Sequence, residues 1–413
     1  MGRNGLIGLV AALVLVIAGV GAFIVLRDDN DEPPSDEATN NDSNDSADDS
    51  EPSDHDPVIE TVAEGFDQPW GLEFLPEGDQ LLVTELVGTL AIVDIDSGDV
   101  RRIDGVPDVS AEGQGGLLDV AIDPDFPDSS WVYLTYSAAT DDGNTSTHLA
   151  RGQLDLDQAT LRDVEELYVA EPATQAPVHY GSKIVFGVDG NLYMTIGDRG
   201  DKNFADHVSQ DPSNTLGTTV RLRPDGSIPE DNPFIDDGDI ADEIYTYGHR
   251  NVQGMTVHPL TGVMWQSEHG EEDGDEINIV EGGHNYGWPI AHSGCEYGTD
   301  TPIGDHPLDR DEFPNPAFFW ECGSGGFPPG GLTFYEGDQF PAWEGNLLVG
   351  GLASEQVARF IEEDGELIET EPLLADEGWR IRDIVVSPHD GAIYVAIDDD
   401  DVPLIRLVDG TED

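Results

Sequence analysis

One pattern recurs six times along this chain. Two short apolar segments flank a polar turn that contains Gly, Asp or Pro. The second segment of each copy reads Leu81-Leu82-Val83-Thr84, Trp131-Val132-Tyr133-Leu134-Thr135, Leu192-Tyr193-Met194-Thr195-Ile196, Met264-Trp265-Gln266-Ser267, Leu347-Leu348-Val349 and Ile393-Tyr394-Val395-Ala396. Turns such as Pro76-Glu77-Gly78-Asp79, Asp189-Gly190 and His389-Asp390-Gly391 come before them. β-Branched and aromatic residues bounded by turn formers are hairpin signals. No long segment carries a helical period. The copies recur at roughly 45 to 85 residues, room for blades with loops of variable length. The expected fold is all-β, a six-bladed β-propeller over residues 58–413. A β-sandwich is the alternative, but it does not require six similar hairpins, and the region is long for one. The largest insertions lie between the third and fifth copies. Loops gathered at one face of a propeller surround the channel mouth, the usual place for a site.

The N-terminal part reads differently. Gly5 to Leu26 is an uninterrupted apolar run, long enough to cross a bilayer as a helix. Arg3 precedes it, and a dense acidic tract follows Arg27, which favours the bulk of the chain outside. The run is longer than a usual signal-peptide apolar region and lacks a clear small-x-small cleavage site. Residues 1–27 therefore read as an uncleaved membrane anchor, with a cleaved signal as the alternative. No cysteine follows, so lipoprotein processing is excluded. Residues 28–57 carry almost no apolar side chain and read as a disordered, self-repelling acidic linker. The folded part is expected at the extracellular face of the cell membrane. The two cysteines, Cys295 and Cys322, fall in Gly-rich sequence. An external location permits a disulfide between them; two free thiols are the alternative.

The densest chemistry lies between Gly248 and Pro289. It reads Gly248-His249-Arg250-Asn251-Val252-Gln253-Gly254, then Ser267-Glu268-His269-Gly270-Glu271-Glu272-Asp273-Gly274-Asp275-Glu276-Ile277-Asn278, then Gly282-Gly283-His284-Asn285-Tyr286-Gly287-Trp288-Pro289. Arg250 offers a bidentate fork for a carboxylate ligand, with Asn251 beside it. Satisfying loop carbonyls is an equally good role for that Arg. His269 to Glu276 offers the oxygens that a hard cation such as Ca²⁺ takes, although the spacing is not an EF-hand loop. An acidic loop in an acidic protein is the plainer reading.

Other candidates lie outside that stretch. His179, just before the third copy, has the side chain of a general base, and Asp198 is placed to orient it. A solvated loop His and a turn-forming Asp are the plainer readings. Gln114 sits among glycines that permit close backbone approach. Arg380 and Arg382 alternate as in a strand and share a face. Two of only 15 Arg on one face suggest an anionic ligand; ion bridges to nearby carboxylates are the alternative.

Taken together, the segments Gly113 to Asp119, His179 to Gly200, Gly248 to Gly254, Ser267 to Asn278, Gly282 to Pro289 and Arg380 to Asp383 resemble the soluble aldose sugar dehydrogenases that use pyrroloquinoline quinone (PQQ). The resemblance runs from about Glu60 to the C-terminus, and it implies a six-bladed propeller. It implies that His179 takes the sugar hydroxyl proton while hydride passes to the quinone, and that Asp198 orients it. Gln114, Arg250, Asn251, Arg380 and Arg382 would hold the cofactor, with Tyr297 near it. Carbonyls of Gly270 and Glu271 would bind a catalytic Ca²⁺, and Glu276 and Tyr286 match a second, structural Ca²⁺ of some relatives. The implied substrate is an aldose sugar oxidised at C1, with electrons passing to an external acceptor. Three positions depart from the family pattern: Glu271 stands for a frequent Pro, Ala353 for a cofactor-binding Lys, and His269 for a Gln. A non-catalytic carbohydrate-binding propeller and a Ca²⁺-dependent lactonase are the rival readings.

The charge sets the environment. The chain carries 86 acidic against 17 basic residues, formally −69. Phosphate binding needs clustered Lys and Arg, so nucleic acid is not an expected partner. Acidity spread over the whole chain points to a high-salt environment, where screening removes the self-repulsion. Lowering salt from molar to millimolar is expected to lower the melting temperature; an unchanged value would contradict this.

Overall fold

The computed structural model describes residues 57–140 and 142–410. The expected anchor, residues 1–27, and all of the expected linker but residue 57 lie outside the described residues. Among the described residues no helix is long and apolar enough to cross a membrane. Six four-stranded antiparallel sheets follow one another around an axis, a six-bladed β-propeller. Each sequence copy supplies the second strand of a blade, from Gln80–Glu85 in blade 1 to Ile393–Ile397 in blade 6. The ring closes where the first strand, Pro57–Phe66, pairs with the last, Val402–Asp409, with Val58 opposite Val408. Apolar faces pack between blades. Leu82, Leu90 and Ile92 of blade 1, for example, meet Leu117, Val120 and Leu134 of blade 2. Each fully buried side chain of this kind contributes about 1.5–3 kcal/mol.

A hydroxyl stitches neighbouring blades together. Thr84 Oγ1 accepts from Gly71 N at 2.8 Å and donates to Leu118 O of the next blade. Thr135 accepts from Asp119 N at 2.9 Å and donates to Ser182 O at 2.7 Å. Thr195 accepts from Lys183 N at 3.0 Å and donates to Val252 O at 3.2 Å. Ser267 donates to Gly330 O at 3.0 Å. The residue at this position in the last two blades is Gly350 and Ala396. Opposite it the inner strands break register, between Val252 and Gly254 in blade 4 and between Ile381 and Asp383 in blade 6. Bulges of this kind re-aim a side chain. Here they turn Gln253 and Arg382 toward the axis, where both line a cavity.

One residue further along the inner strands, the axis is plugged. Lys183 Nζ lies 3.1 Å from Asp119 Oδ1 and 2.9 Å from Asp383 Oδ2, joining blades 2, 3 and 6. The other blades yield space: a Cβ on Gly331 would collide with the Asp383 carboxylate. Ile184 N and Leu72 N also donate to Asp119 and Asp383. Burial opposes the charge of Lys183, but the two carboxylates hold it protonated well above the usual lysine range. Removing one partner of a buried ion network leaves uncompensated charge, which costs about 3–5 kcal/mol. Removing a buried hydroxyl that serves two backbone groups costs about 1–3 kcal/mol. Thermal or urea unfolding should therefore rank Lys183→Met as more destabilising than Thr135→Val, with both less stable than the parent.

Candidate active site

The cavity lies where the inner strands begin. His179 precedes the inner strand Ile184–Phe186 of blade 3, and Asp198 follows its neighbour Leu192–Ile196. The two strands are antiparallel, with Ile184 opposite Met194, so the loop before one meets the loop after the other. His179 Nδ1 lies 2.6 Å from Asp198 Oδ1. His179 sits at φ +53°, a region that residues with a Cβ adopt at a cost. It is held there by Gln114 Oε1, which accepts its N–H at 2.7 Å. Gly197 passes so close that a Cβ would strike the His179 carbonyl.

Asp198 is a buried acceptor with many donors. Gly200 N donates to Oδ1 at 2.8 Å and Trp288 Nε1 to Oδ2 at 3.0 Å. His207 Nε2 lies 3.5 Å from Oδ2. Burial alone would raise this carboxyl, but hydrogen bonds from His179 and His207 outweigh it and hold it well below the usual carboxylate range. Burial also lowers His179 by more than Asp198 raises it. The ring is therefore neutral at neutral pH. Its Nδ1–H is given to Asp198, which leaves the lone pair on Nε2 in a residue that lines the cavity.

The inner chamber has a volume of about 410 Å³ and adjoins an outer one of about 590 Å³; the two share Gln114, His269, Tyr297, Pro328 and Ala353 in their walls. The cations on its wall are partly engaged. Arg250 donates to Glu271 Oε2 at 2.8 Å and to His269 O at 3.3 Å. Arg382 donates to Gln253 Oε1 at 2.9 Å and to Asp398 Oδ2 at 3.2 Å. Arg380 bonds the same Asp398 oxygen at 2.8 Å. The shared face expected of Arg380 and Arg382 is present, and so is the ion bridge weighed against it. Yet Arg250 Nε, Asn251 Nδ2 and Arg382 Nε are buried donors without a partner. A buried donor left unpaired costs about 1–3 kcal/mol. Arg382 lines the inner chamber and Arg250 the outer one, and unpaired donors there fit an anionic ligand that bears carboxylate or carbonyl oxygens; Asn251 is buried next to Arg250 and lines neither.

The acidic loop divides into roles that its sequence does not separate. Asp275 accepts from Gly270 N at 2.9 Å and Phe327 N at 2.6 Å, and Asp273 accepts from Gly323 N. Glu272 accepts from Gly298 N. These carboxylates fasten the insertion 294–327, which the Cys295–Cys322 disulfide also closes. The Glu271 carboxylate is taken by Arg250 and Lys202. Its extra charge is thus committed to two cations. Among the described residues no donor bonds the carbonyl oxygen of Gly270 or Glu271, and both residues are buried. Two free carbonyls fit a hard cation. No three His, Cys, Asp or Glu side chains converge as a metal cluster among the described residues.

Glu276 and Tyr286 line a separate small cavity of about 10 Å³, which also touches Arg250, Glu268 and His292. It is about the size of one small occupant. Tyr286 donates its hydroxyl to Ile279 O at 2.8 Å, so the phenol itself serves the loop. Tyr297 is exposed at the cavity mouth, and the Lys202 ammonium lies 5.4 Å from its ring centre. His269 gives Nε2–H to Pro329 O at 2.8 Å and stays neutral, because burial and Arg250 push it down to about 3. Trp288, His207, Gln253, Lys202 and Asp398 were not among the expected site residues. Trp288 and Gln253 lie inside the Gly-punctuated stretch, whereas Asp398 follows a strand in an acidic run and carries no signal.

The family model described as Glucose / Sorbosone dehydrogenase matches residues 66–406. The chain is 36% identical over 350 residues to the aldose sugar dehydrogenase YliI of Escherichia coli, covering 84% of this chain and 92% of that one. Its structure is similar to the apo-form of the soluble aldose sugar dehydrogenase from Escherichia coli, with TM-score 0.79 and 35% identity over 86% of this chain and 99% of that one. It is also similar to the PQQ-bound form of aldose sugar dehydrogenase from Streptomyces coelicolor, with TM-score 0.69 and 26% identity over 86% of this chain and 100% of that one. The chain belongs to the glucose/sorbosone dehydrogenase family, a family of oxidoreductases.

Proposed function

We propose that this oxidoreductase is a PQQ- and Ca²⁺-dependent dehydrogenase that oxidises aldose sugars at C1 to the lactone. Its main support is the neutral His179 held by the ionised Asp198, near buried donors without partners on Arg250, Asn251 and Arg382. Those donors, with Gln114 and Arg380 at the cavity wall, would hold the cofactor carboxylates and carbonyls. The carbonyls of Gly270 and Glu271 would hold the ion. When bound, PQQ supplies a two-electron acceptor for hydride and Ca²⁺ a Lewis acid on its quinone oxygen. His179 Nε2 accepts the proton of the C1 hydroxyl as the C1 hydrogen leaves with its electron pair and the carbonyl of the lactone forms. Asp198 stays ionised and stabilises the imidazolium through Nδ1–H. Electrons then pass to an external acceptor. The enzyme works at the outer face of the membrane, tethered by residues 1–27.

Two measurements test this. Metal-free protein titrated with PQQ and Ca²⁺ should acquire the ability to reduce an artificial dye when given aldoses. His179→Ala should bind PQQ with unchanged affinity yet lose about 10²–10⁴-fold in turnover; retained turnover would remove His179 as the base. A carbohydrate-binding propeller would reduce no dye, and a lactonase would hydrolyse without PQQ. The second is the pH profile. Burial depresses His179, so its base form persists to lower pH than that of an ordinary His. The acid limb of kcat/KM is expected below the free imidazole value of about 6.5, and a limb above it would contradict the assignment.

A further inference from the structure

Trp288 touches both halves of the site, and none of its atoms has a role in the steps above. The indole is buried. Its Nε1–H donates to Asp198 Oδ2 at 3.0 Å, the oxygen that does not face His179. The Arg250 guanidinium carbon lies 5.4 Å from its ring centre, within cation–π range. The ring plane is fixed from three sides. Phe204, His207 and His292 meet it edge-on, at centroid distances of 5.8, 5.6 and 4.7 Å. Its backbone is fixed too: Trp288 N donates to Gly248 O at 2.9 Å, and Gln210 Nε2 donates to Trp288 O at 2.7 Å. An indole so enclosed has one direction for its N–H, and Asp198 stands in it.

We propose that Trp288 is a positioning residue that couples the base to the anion clamp: its N–H fixes the carboxylate that orients His179, and its ring fixes the guanidinium of Arg250. This rests on the roles given above to His179 and Arg250. No other group replaces that N–H. Oδ2 has His207 Nε2 at 3.5 Å, and that nitrogen also bonds Asp201 O at 3.1 Å. His207 Nδ1 accepts from Ser209 N, which leaves Nε2 to serve Asp201 O. Without the indole donor, Asp198 is freer to turn and more basic. It then holds the Nδ1 proton of His179 more tightly and favours the charged imidazole. The other groups that act on His179 are Arg250 and Lys202, both opposing its charge, and Gln114 at its backbone.

Trp288→Phe keeps a ring and removes the donor, whereas Trp288→Leu removes both. In Trp288→Phe the acid limb of kcat/KM should move up by about 0.5–1 pH unit. kcat should fall about 10–100-fold at little change in KM, and PQQ affinity, read by absorbance titration, should change less than threefold. Trp288→Leu should show the same pH shift and, in addition, bind PQQ about tenfold more weakly. A ring that serves packing alone would leave the pH limb of Trp288→Phe where it was, and that result would overturn the proposal. If neither variant folds, the unaltered cofactor-free protein decides. The indole N–H resonance of Trp288, assigned through its contacts to His207 and His292, should titrate together with the His179 ring. An indole resonance that ignores the His179 titration would overturn the coupling. That measurement needs no turnover, so it stands apart from whether the protein oxidises sugars.

Discussion

Three blades meet on one ammonium group. Lys183, immediately before the inner strand of blade 3, bridges Asp119 of blade 2 and Asp383 of blade 6 across the axis. Blades 1 and 5 answer with glycines, Gly71 and Gly331, whose missing side chains leave room for those carboxylates. Burying three charges carries a desolvation cost that their attraction roughly offsets, so the network adds little net stability while its partial loss is expensive. Its effect is geometric. It sets which residue of each inner strand faces the axis, and therefore which neighbour faces the cavity. Arg382 and Gln253 stand at the bulges immediately before Asp383 and Gly254. The cavity floor is thus a consequence of the plug.

The same buried environment gives its carboxylates different states, and the difference decides their uses. Glu73 is pushed up to about 8, first by burial and then by its neighbour Asp119, with Lys183 too weak to restore it. Asp119 is raised as well, because burial outweighs its ion pair with Lys183. Asp198 goes the other way, since the attraction of His179, bonded to it directly, and of His207 nearby outweighs burial. The carboxylate beside His179 is therefore held ionised, which is the state that can stabilise an imidazolium. Imidazoles divide likewise. His249 and His269 are committed to Glu268 and to Pro329 O, whereas His179 keeps one nitrogen toward the cavity.

The fold was legible because each blade repeats one physical requirement. A second strand must be apolar on its buried faces, and in four of the six blades it ends in a small hydroxyl that reaches the next blade. Thr84, Thr135, Thr195 and Ser267 are the final or near-final residues of the repeated segments, so the stitch is visible as a column in the sequence. The pairing of His179 with Asp198 was also legible, since one precedes and the other follows adjacent antiparallel strands. Trp288 and His207 were not. Their contact with Asp198 depends on how two long loops fold back over the mouth, and loop packing leaves no period. The carboxylates from Glu272 to Asp275 show the same limit from the other side. Composition suggests cation ligands, while their partners are backbone amides of a distant insertion. The Glu271 carboxylate pairs with Lys202, which is far from it in sequence.

The distribution of the scarce cations ties the surface to the site. Lys183, Lys202, Arg250, Arg380 and Arg382 are five of only 17 basic residues, and all lie at or beneath the cavity. The remaining surface is overwhelmingly acidic. An anionic cofactor therefore meets repulsion at long range and attraction only within the mouth. Salt acts on the two unequally. At molar ionic strength the field of exposed carboxylates decays over about 3 Å, while pairs inside a buried cavity are screened much less. High salt thus removes the outer barrier and leaves the inner clamp. The condition that relieves the shell of its self-repulsion is the same condition under which the cavity becomes accessible to the ligand its unpaired donors fit.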